Sequence, residues 1–597
     1  MTAIHLWAPD AARVEILLRE QRYALTAGDR GWWTLANPQP HHGDDYYFFL
    51  DDQGPFPDPR SPWQPAGVHG PSRWIDHRQH RWQDDGWQPP PLTAAVIYEL
   101  HIGTFTAEGT FDAAIQRLDA LVDLGITHVE LMPVASFAEE RGWGYDGVAL
   151  YAPHHHYGGP EGLKRLVDAC HRRGLAVLLD VVYNHLGPSG NYLGRYGPYF
   201  TDRYNTPWGD AVNLDGPHSD TVRRFFIDNA LMWLRDYHMD GLRIDAIHAF
   251  ADNSATHFLE QLADAVGSLQ AHLGRHLVLI AESDLNDPRA VHPPAVGGYG
   301  LDAQWNEDFH HALHAVLTGE RQGYYRDFGR LADLVAVLTH GWRYDGRFSQ
   351  FRQRCHGRPA TGLAGHTWVG CMQNHDQVGN RARGDRLSQI LSPERVMIGA
   401  ALLLTSPFVP MLFQGEEWGA RTPFLYFTDH QEPELGEAVR RGRQKEFAAF
   451  GWDPDQVPDP QDAATFRQSK LAWDEMDRAP HKALRQWYKA LIRLRRQHPA
   501  LSDGRLEAIR ARFDEDARWL VIARGPVVLV CNLADNAQRI AVTGLGDKQL
   551  LLASAPQVHP DNAGVLLPAD SVAIWADGTS AIDDSMPFSF SNKENSP

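Results

Sequence analysis

The chain has 597 residues, several times the usual domain size, so two to four domains are expected. Its formal net charge of -19 argues against non-specific binding to nucleic acid or anionic lipid, both of which reward positive surface, and neutral substrates fit better. Hydrophobic residues make up 43 % of it, and no uninterrupted apolar run approaches the roughly 20 residues of a membrane span.

Residues 1–90 hold short β-type runs, such as Arg13–Leu18 and Asp45–Leu50, separated by turns rich in Gly, Asp and Pro. This predicts a small N-terminal β-sandwich, of the carbohydrate-binding-like kind, with Pro89–Pro91 ending a linker. From there to about residue 500 the pattern is strand, then helix, repeated. Ala95–His101 reads as a strand, Phe111–Leu124 as an amphipathic helix stopped by Gly125, and His128–Pro133 as the next strand. A helix over 161–173 leads into Leu175–Val182, a near-continuous apolar run of the kind that parallel sheets bury on both faces. A long loop is expected over 186–219, a helix over 220–237 and a strand over 241–247.

The second half continues in the same way. A helix near 254–272 precedes the strand His276–Glu282, a short strand follows at 301–306, and helices run to about 340. His366–Met372, a helix at 389–404, Phe408–Phe413 and a helix at 480–498 complete the series. Eight strand candidates with interposed helices predict a (β/α)8 barrel over 91–500. Trp519–Ala523 and Pro526–Asn532 read as strands of a C-terminal β-sandwich over 501–580, and 581–597 as a frayed polar tail.

Met1–Trp7 has no basic stretch followed by an apolar one, so no signal peptide is expected. The four cysteines, Cys170, Cys355, Cys371 and Cys531, are scattered without metal-ligand or redox spacing, which suggests a reduced, cytoplasmic protein. Nineteen Trp and nineteen Tyr supply many flat faces on which sugar rings can stack, although core packing must account for most of them.

In such barrels the chemistry sits where strands end and the following loops begin. Three acids fall there: Asp245, Glu282, and Asp376 within Gln373-Asn374-His375-Asp376. Alternate side chains of a strand share a face, so Arg243 stands beside Asp245 and favours its ionised form. Glu282 ends the apolar run Leu277–Ala281, where burial disfavours its charge. Two carboxyls pushed apart in this way can serve as nucleophile and general acid, the pairing used in retaining glycoside hydrolysis.

Asp180-Val181-Val182-Tyr183-Asn184-His185, Gly241–Asp245, Ala281-Glu282-Ser283 and Asn374-His375-Asp376 resemble, in order and spacing, the four signature regions of the α-amylase family, glycoside hydrolase family 13. The resemblance implies that Asp245 is the nucleophile, Glu282 the acid/base and Asp376 a stabiliser that grips sugar hydroxyls. It also implies that His185, Arg243 and His375 touch the attacked sugar, and that Tyr145, in Gly144-Tyr145-Asp146, stacks under it. Trp143 and His248 join the candidate substrate-binding residues. The loop near Asn184 lacks the length of the calcium-bearing one in many α-amylases, so no metal is expected, and no cofactor.

The N-terminal module, Tyr98–Phe105 and Gly142–Gly147 resemble branching and debranching members, and the member that releases trehalose from maltooligosyltrehalose. Leu301–His311, Pro423–His430 and Asp459–Phe466 look most like the last of these. The implied reaction is hydrolysis of the α-1,4 bond next to a terminal trehalose, with branching or debranching of glycogen as the alternative. A glucan-binding scaffold with a dead site is the non-enzyme alternative, and the presence of all three acids counts against it. Recognition of trehalose would fall to the acceptor side, with Asp302, Trp305, Asn306, Gln377, Arg381 and Glu417 as candidates. The partners expected are an α-glucan oligosaccharide and trehalose, neither nucleic acid nor membrane, and a monomer or homodimer.

Overall fold

The computed structural model describes residues 4–449, 457–561 and 563–577; the tail expected to be frayed lies outside the described residues. Eight parallel strands close into a barrel: β1 (Ile97–Leu100), β2 (His128–Leu131), β3 (Ala176–Val181), β4 (Gly241–Ile244), β5 (Val278–Ala281), β6 (Ala303–Trp305), β7 (Trp368–Cys371) and β8 (Val409–Phe413). Each falls on a strand candidate of the sequence. Closure comes from β8 pairing with β1, Leu412 opposite Tyr98. The reason these runs form a barrel is that both of their faces are apolar. Ile97, Leu178, Val278, Ile280, Val369, Cys371 and Met411 pack inside, while Val129, Val177, Leu179, Leu242, Ile244 and Leu279 pack outward under the helices. Each such residue, fully buried, contributes about 1.5–3 kcal/mol.

Helices cover the outside: α1 (Ser219–Asp236) before β4, α2 (Glu307–Thr318) after β6 and α3 (His481–Gln497) closing the ring. α3 buries Leu484, Trp487, Tyr488, Leu491 and Ile492, spaced three and four apart, which makes one apolar stripe. Its buried Arg495 donates to the carbonyls of Leu404, Ser406 and Phe408 at 3.1, 2.8 and 2.7 Å, fixing the turn into β8.

Antiparallel sheets flank the barrel. On the N-terminal side His5–Trp7, Thr26–Ala27 and Trp32–Thr34 form one, and strands from Val14–Leu18 to Ser72–Arg73 form another. On the C-terminal side a five-stranded sheet built on Ile509–Asp514, Trp519–Arg524, Val527–Asn532, Ser571–Asp577 and Lys548–Ala553 lies beside a three-stranded one.

Two local expectations change. The helix predicted over Phe111–Leu124 is two short helices, Phe111–Ile115 and Leu118–Leu124, because the N–H of Gln116 turns back onto the carbonyls of Ala113 and Ala114. The break lets Phe111 and Ala114 face the helix Gly159–His171 while Leu118, Leu121 and Leu124 face α3. The loop expected over 186–219 contains a hairpin, Phe200–Thr206 with Gly209–Val212. The first strand of that hairpin has no buried face, so it has no apolar alternation to betray it.

Candidate active site

Strand β4 delivers the first acid. Asp245 continues the ladder by donating its N–H to Val181 O at 3.0 Å, and the next residue, Ala246, then turns left-handed at φ 38°. A non-glycine residue there is strained. The turn is held because Ala246 N–H donates to Glu282 Oε2 at 2.5 Å and Ile247 N–H to Glu282 O at 3.0 Å. The strained backbone therefore ties the end of β4 to the end of β5.

One guanidinium organises the acids. Buried Arg243 donates from Nη1 to Asp245 Oδ1 at 2.8 Å and to both oxygens of Asp180 at 2.9 Å, and its Nη2 stands 3.5 Å from Glu282 Oε2. Trp305 lies under it, 4.2 Å from ring centroid to guanidinium carbon, as a cation–π floor. Asn184 Nδ2 donates to the second oxygen of Asp245 at 2.7 Å. Asp245 thus accepts from a charged and a neutral donor. Burial pushes the Glu282 carboxyl above its ordinary range, Arg243 opposing and the charges of Asp245 and Asp376 adding to the rise. Burial likewise pushes Asp180 up to about 7 against the pull of Arg243.

The surrounding side chains are equally constrained. Tyr145 donates to Asp180 Oδ2 at 2.5 Å and stacks on His375 with centroids 5.1 Å apart. Gly144 before it sits at φ +99°, and a Cβ there would lie 2.2 Å from Pro133 O, so only glycine lets Tyr145 reach this position. His375 Nδ1 lies 2.5 Å from Glu99 Oε1, and although burial works the other way, that carboxylate raises the His375 pKa. Asp376 sits in the first helical turn beyond β7 and accepts from Asn380 Nδ2 at 2.5 Å. His185 meets the carbonyl of Tyr145 at 3.0 Å and stacks flat on Trp208, centroids 4.4 Å apart. Trp143 is wall rather than floor: it is buried, donates to Leu425 O at 2.9 Å and stacks on Phe424. His248 is exposed on the turn after Ala246, near enough for its charge to act on Glu282.

The acceptor-side candidates divide. Gln377 donates to Glu307 Oε2 at 2.8 Å and accepts from Tyr324 at 3.3 Å, which places it among polar groups next to the acids. Arg381 is paired with Glu320 through both terminal nitrogens at 2.9 Å. Three positions have other partners in the fold. Asp302 precedes β6, at the opposite end of the barrel, where it accepts Leu279 N–H at 2.8 Å. Asn306 caps α2, accepting from Phe309 N–H at 3.0 Å while donating to Gly341 O at 2.7 Å. Glu417 is fully buried and accepts from Tyr98 at 3.2 Å, so its carboxyl serves the joint between β8 and β1.

Sequence reasoning passed over four participants. Asp180 was legible within its motif but received no role; Glu99 gave no local sign of its partner 276 residues away. Trp208 at the hairpin tip and Glu307 at the start of α2 are joined to the site by the fold alone. Among the described residues one group has ligand atoms close enough to hold a metal, Glu307, His310 and His311. Glu307 already bonds Gln377 and His311 stacks on Tyr324 at 4.7 Å, and no step below needs an ion. The arrangement gathers two carboxyls at one guanidinium and raises the pKa of one of them, Glu282, which is the pairing a double displacement uses.

Residues 71–202 match the model of the alpha amylase catalytic domain, and residues 504–574 that of a domain of unknown function. The chain is 51 % identical over 581 residues to the malto-oligosyltrehalose trehalohydrolase of Rhizobium sp. (strain M-11), with 96 % of this chain and 97 % of the relative covered. It is 52 % identical to that of Arthrobacter ramosus, with 95 % and 98 % covered. The crystal structure of a protein assigned as an alpha amylase from Salmonella typhimurium superposes with a TM-score of 0.88 at 38 % identity, covering 96 % of this chain and 97 % of the other. With identity above one half across nearly the whole chain and an α-amylase barrel that carries the three candidate acids at its strand ends, the chain belongs to the malto-oligosyltrehalose trehalohydrolase family, a branch of the α-amylase family.

Proposed function

We propose that the protein hydrolyses the α-1,4 bond that joins a maltooligosaccharide to a terminal trehalose, with Asp245 as nucleophile and Glu282 as acid and base. The observation that carries this reading is the Arg243 guanidinium, bonded to Asp245 and 3.5 Å from Glu282, which brings the two carboxyls to one point while burial raises the pKa of Glu282. Asp245 attacks the anomeric carbon of the maltooligosyl unit while Glu282 gives its proton to the glycosidic oxygen, and trehalose leaves. Water then attacks the ester, Glu282 takes its proton, and Asp245 departs as carboxylate. Asp376, His185 and His375 hold the attacked sugar, and Tyr145 stacks against its face.

Selection of trehalose as leaving group falls to the side lined by Gln377, Glu307 and Tyr324. The protein acts without cofactor, nucleic acid or membrane, as a cytoplasmic monomer or homodimer; among the described residues no helix is long and apolar enough to cross a membrane. The test is a product assay with maltooligosyltrehalose and a plain maltooligosaccharide of equal length. Fast release of trehalose from the first and slow attack on the second is expected. New α-1,6 branches, or linear chains freed from glycogen, would move the protein to branching or debranching.

A further inference from the structure

Glu130 of β2 has no role in the chemistry above, yet it stands inside the barrel directly below it. It is in register with Glu99 of β1 on one side and with Leu178 of β3 on the other, one inward-facing layer below Asp180. The residue is 1 % exposed, and neither of its carboxyl oxygens has a hydrogen-bond partner. An isolated buried carboxylate costs several kcal/mol, far more than a neutral acid of the same shape.

The groups that face Glu130 cannot supply a counter-charge. They are Glu99 from β1, Asp180 from β3, Arg243 from β4 and the Cys371 thiol from β7. The nearby cations are already engaged, His375 by Glu99 at 2.5 Å, Arg243 by Asp180 at 2.9 Å and by Asp245 at 2.8 Å, with Glu282 3.5 Å away. Two cations therefore face five carboxyls: Glu99, Glu130, Asp180, Asp245 and Glu282. Some of the five must keep their protons, and Glu130, with no donor at all, is the first to do so.

We infer that Glu130 is a positioning residue for the glycosyl transfer: an uncharged carboxylic acid that fills the barrel beneath Asp180 and Arg243 and leaves the guanidinium's charge to Asp245. Burial, and then the neighbouring Glu99, push its carboxyl well above the ordinary range, in the same sense as the geometry. The inference rests on the role proposed for Asp245.

The experiment is the pH dependence of kcat/KM and kcat for wild type, Glu130→Gln and Glu130→Ala on maltooligosyltrehalose. Replacing a neutral acid by a neutral amide of the same size should keep kcat/KM within about threefold and leave both pH limbs in place. Removing the side chain should lower kcat about tenfold or more with KM little changed, since Asp180 and Arg243 lose their support. Should the alanine variant not fold, Glu130→Val, which still leaves part of the space beneath Asp180 and Arg243 empty, is read in its place with a smaller fall in kcat.

Had Glu130 been an anion, its loss in Glu130→Gln would remove a negative charge beside the acids and move both limbs to lower pH; that shift would overturn the inference. So would a glutamine variant that is as slow as the alanine one or fails to fold, or an alanine or valine variant as fast as wild type. Absence of trehalose release by the wild type itself is a separate outcome, and it sinks the proposed function instead.

Discussion

Among the described residues, two pairs of carboxyls beyond strand ends of this barrel have contrasting surroundings, and we assign chemistry to one of them. Glu282 and Asp245, after β5 and β4, share Arg243, and the Glu282 side chain is part-exposed. Glu416 and Glu417, after β8, are pushed by burial up to about 8 and about 7, and are wrapped by Trp418, Tyr98 and Tyr488 with no opening. Glu416 accepts from Tyr488 at 3.1 Å and from Phe413 N–H at 3.3 Å. A raised carboxyl is thus common to both and marks neither as catalytic. What separates them is a guanidinium bonded to one carboxyl and beside the other, and a part-exposed Glu282 against a fully enclosed Glu416 and Glu417.

The largest expected effect comes from removing the proposed nucleophile. Asp245→Asn should lower kcat by on the order of 10⁴-fold, about 5–6 kcal/mol of barrel-site chemistry, read by initial rates on maltooligosyltrehalose. Residual activity above a hundredth of wild type would return Asp245 to a purely structural ion pair. Glu282→Gln should cost roughly 10²–10⁴-fold in kcat while calorimetry still detects substrate binding, because an amide keeps the shape and lacks the transferable proton. Unchanged turnover there would remove the acid/base assignment.

Glu416→Gln sharpens the contrast from the other side. Turnover should stay within about twofold, since this carboxyl touches no substrate in the proposed mechanism. Its effect belongs to stability. Because Glu416 in the fold is held protonated up to about 8, against about 4.3 in an unfolded chain, the native state binds the extra proton between those values. Its contribution is therefore complete below about pH 4 and is lost as pH rises towards 8. Melting curves of the glutamine variant should fall less steeply between pH 5 and 8 than those of wild type; parallel curves would contradict the assignment.

The smallest effect is expected at the rim. Trp208 is 48 % exposed and lies flat on His185, so Trp208→Ala should lower kcat/KM by only severalfold, the roughly 0.5–1.5 kcal/mol of an aromatic contact. No change at all would leave this face outside the substrate path.

The same contrast explains what the sequence disclosed. Apolar runs such as Leu175–Val182 mark barrel strands because two-sided burial demands them, and an acid at the end of such a run is conspicuous. Asp245, Glu282 and Asp376 were legible for that reason. The pairing of His375 with Glu99, the floor of Trp305 under Arg243 and the turn that joins Ala246 to Glu282 depend on strand register and closure, which no local pattern encodes. Asp302 misled because it adjoins Trp305 in sequence, yet it precedes β6 and so stands at the barrel's far end. On the acceptor side the chain is a set of loops and capped helix ends. Asn306 there reads as a candidate ligand until its amide is seen closing α2.

The measurement that tests the central claim most directly is proton NMR of the reaction in its first moments, before the freed maltooligosaccharide mutarotates. A double displacement through Asp245 inverts the anomeric carbon twice, so the first signal to grow at the new reducing end must be the α-anomer. First appearance of the β-anomer would mean that water attacks directly, and Asp245 could not be the nucleophile.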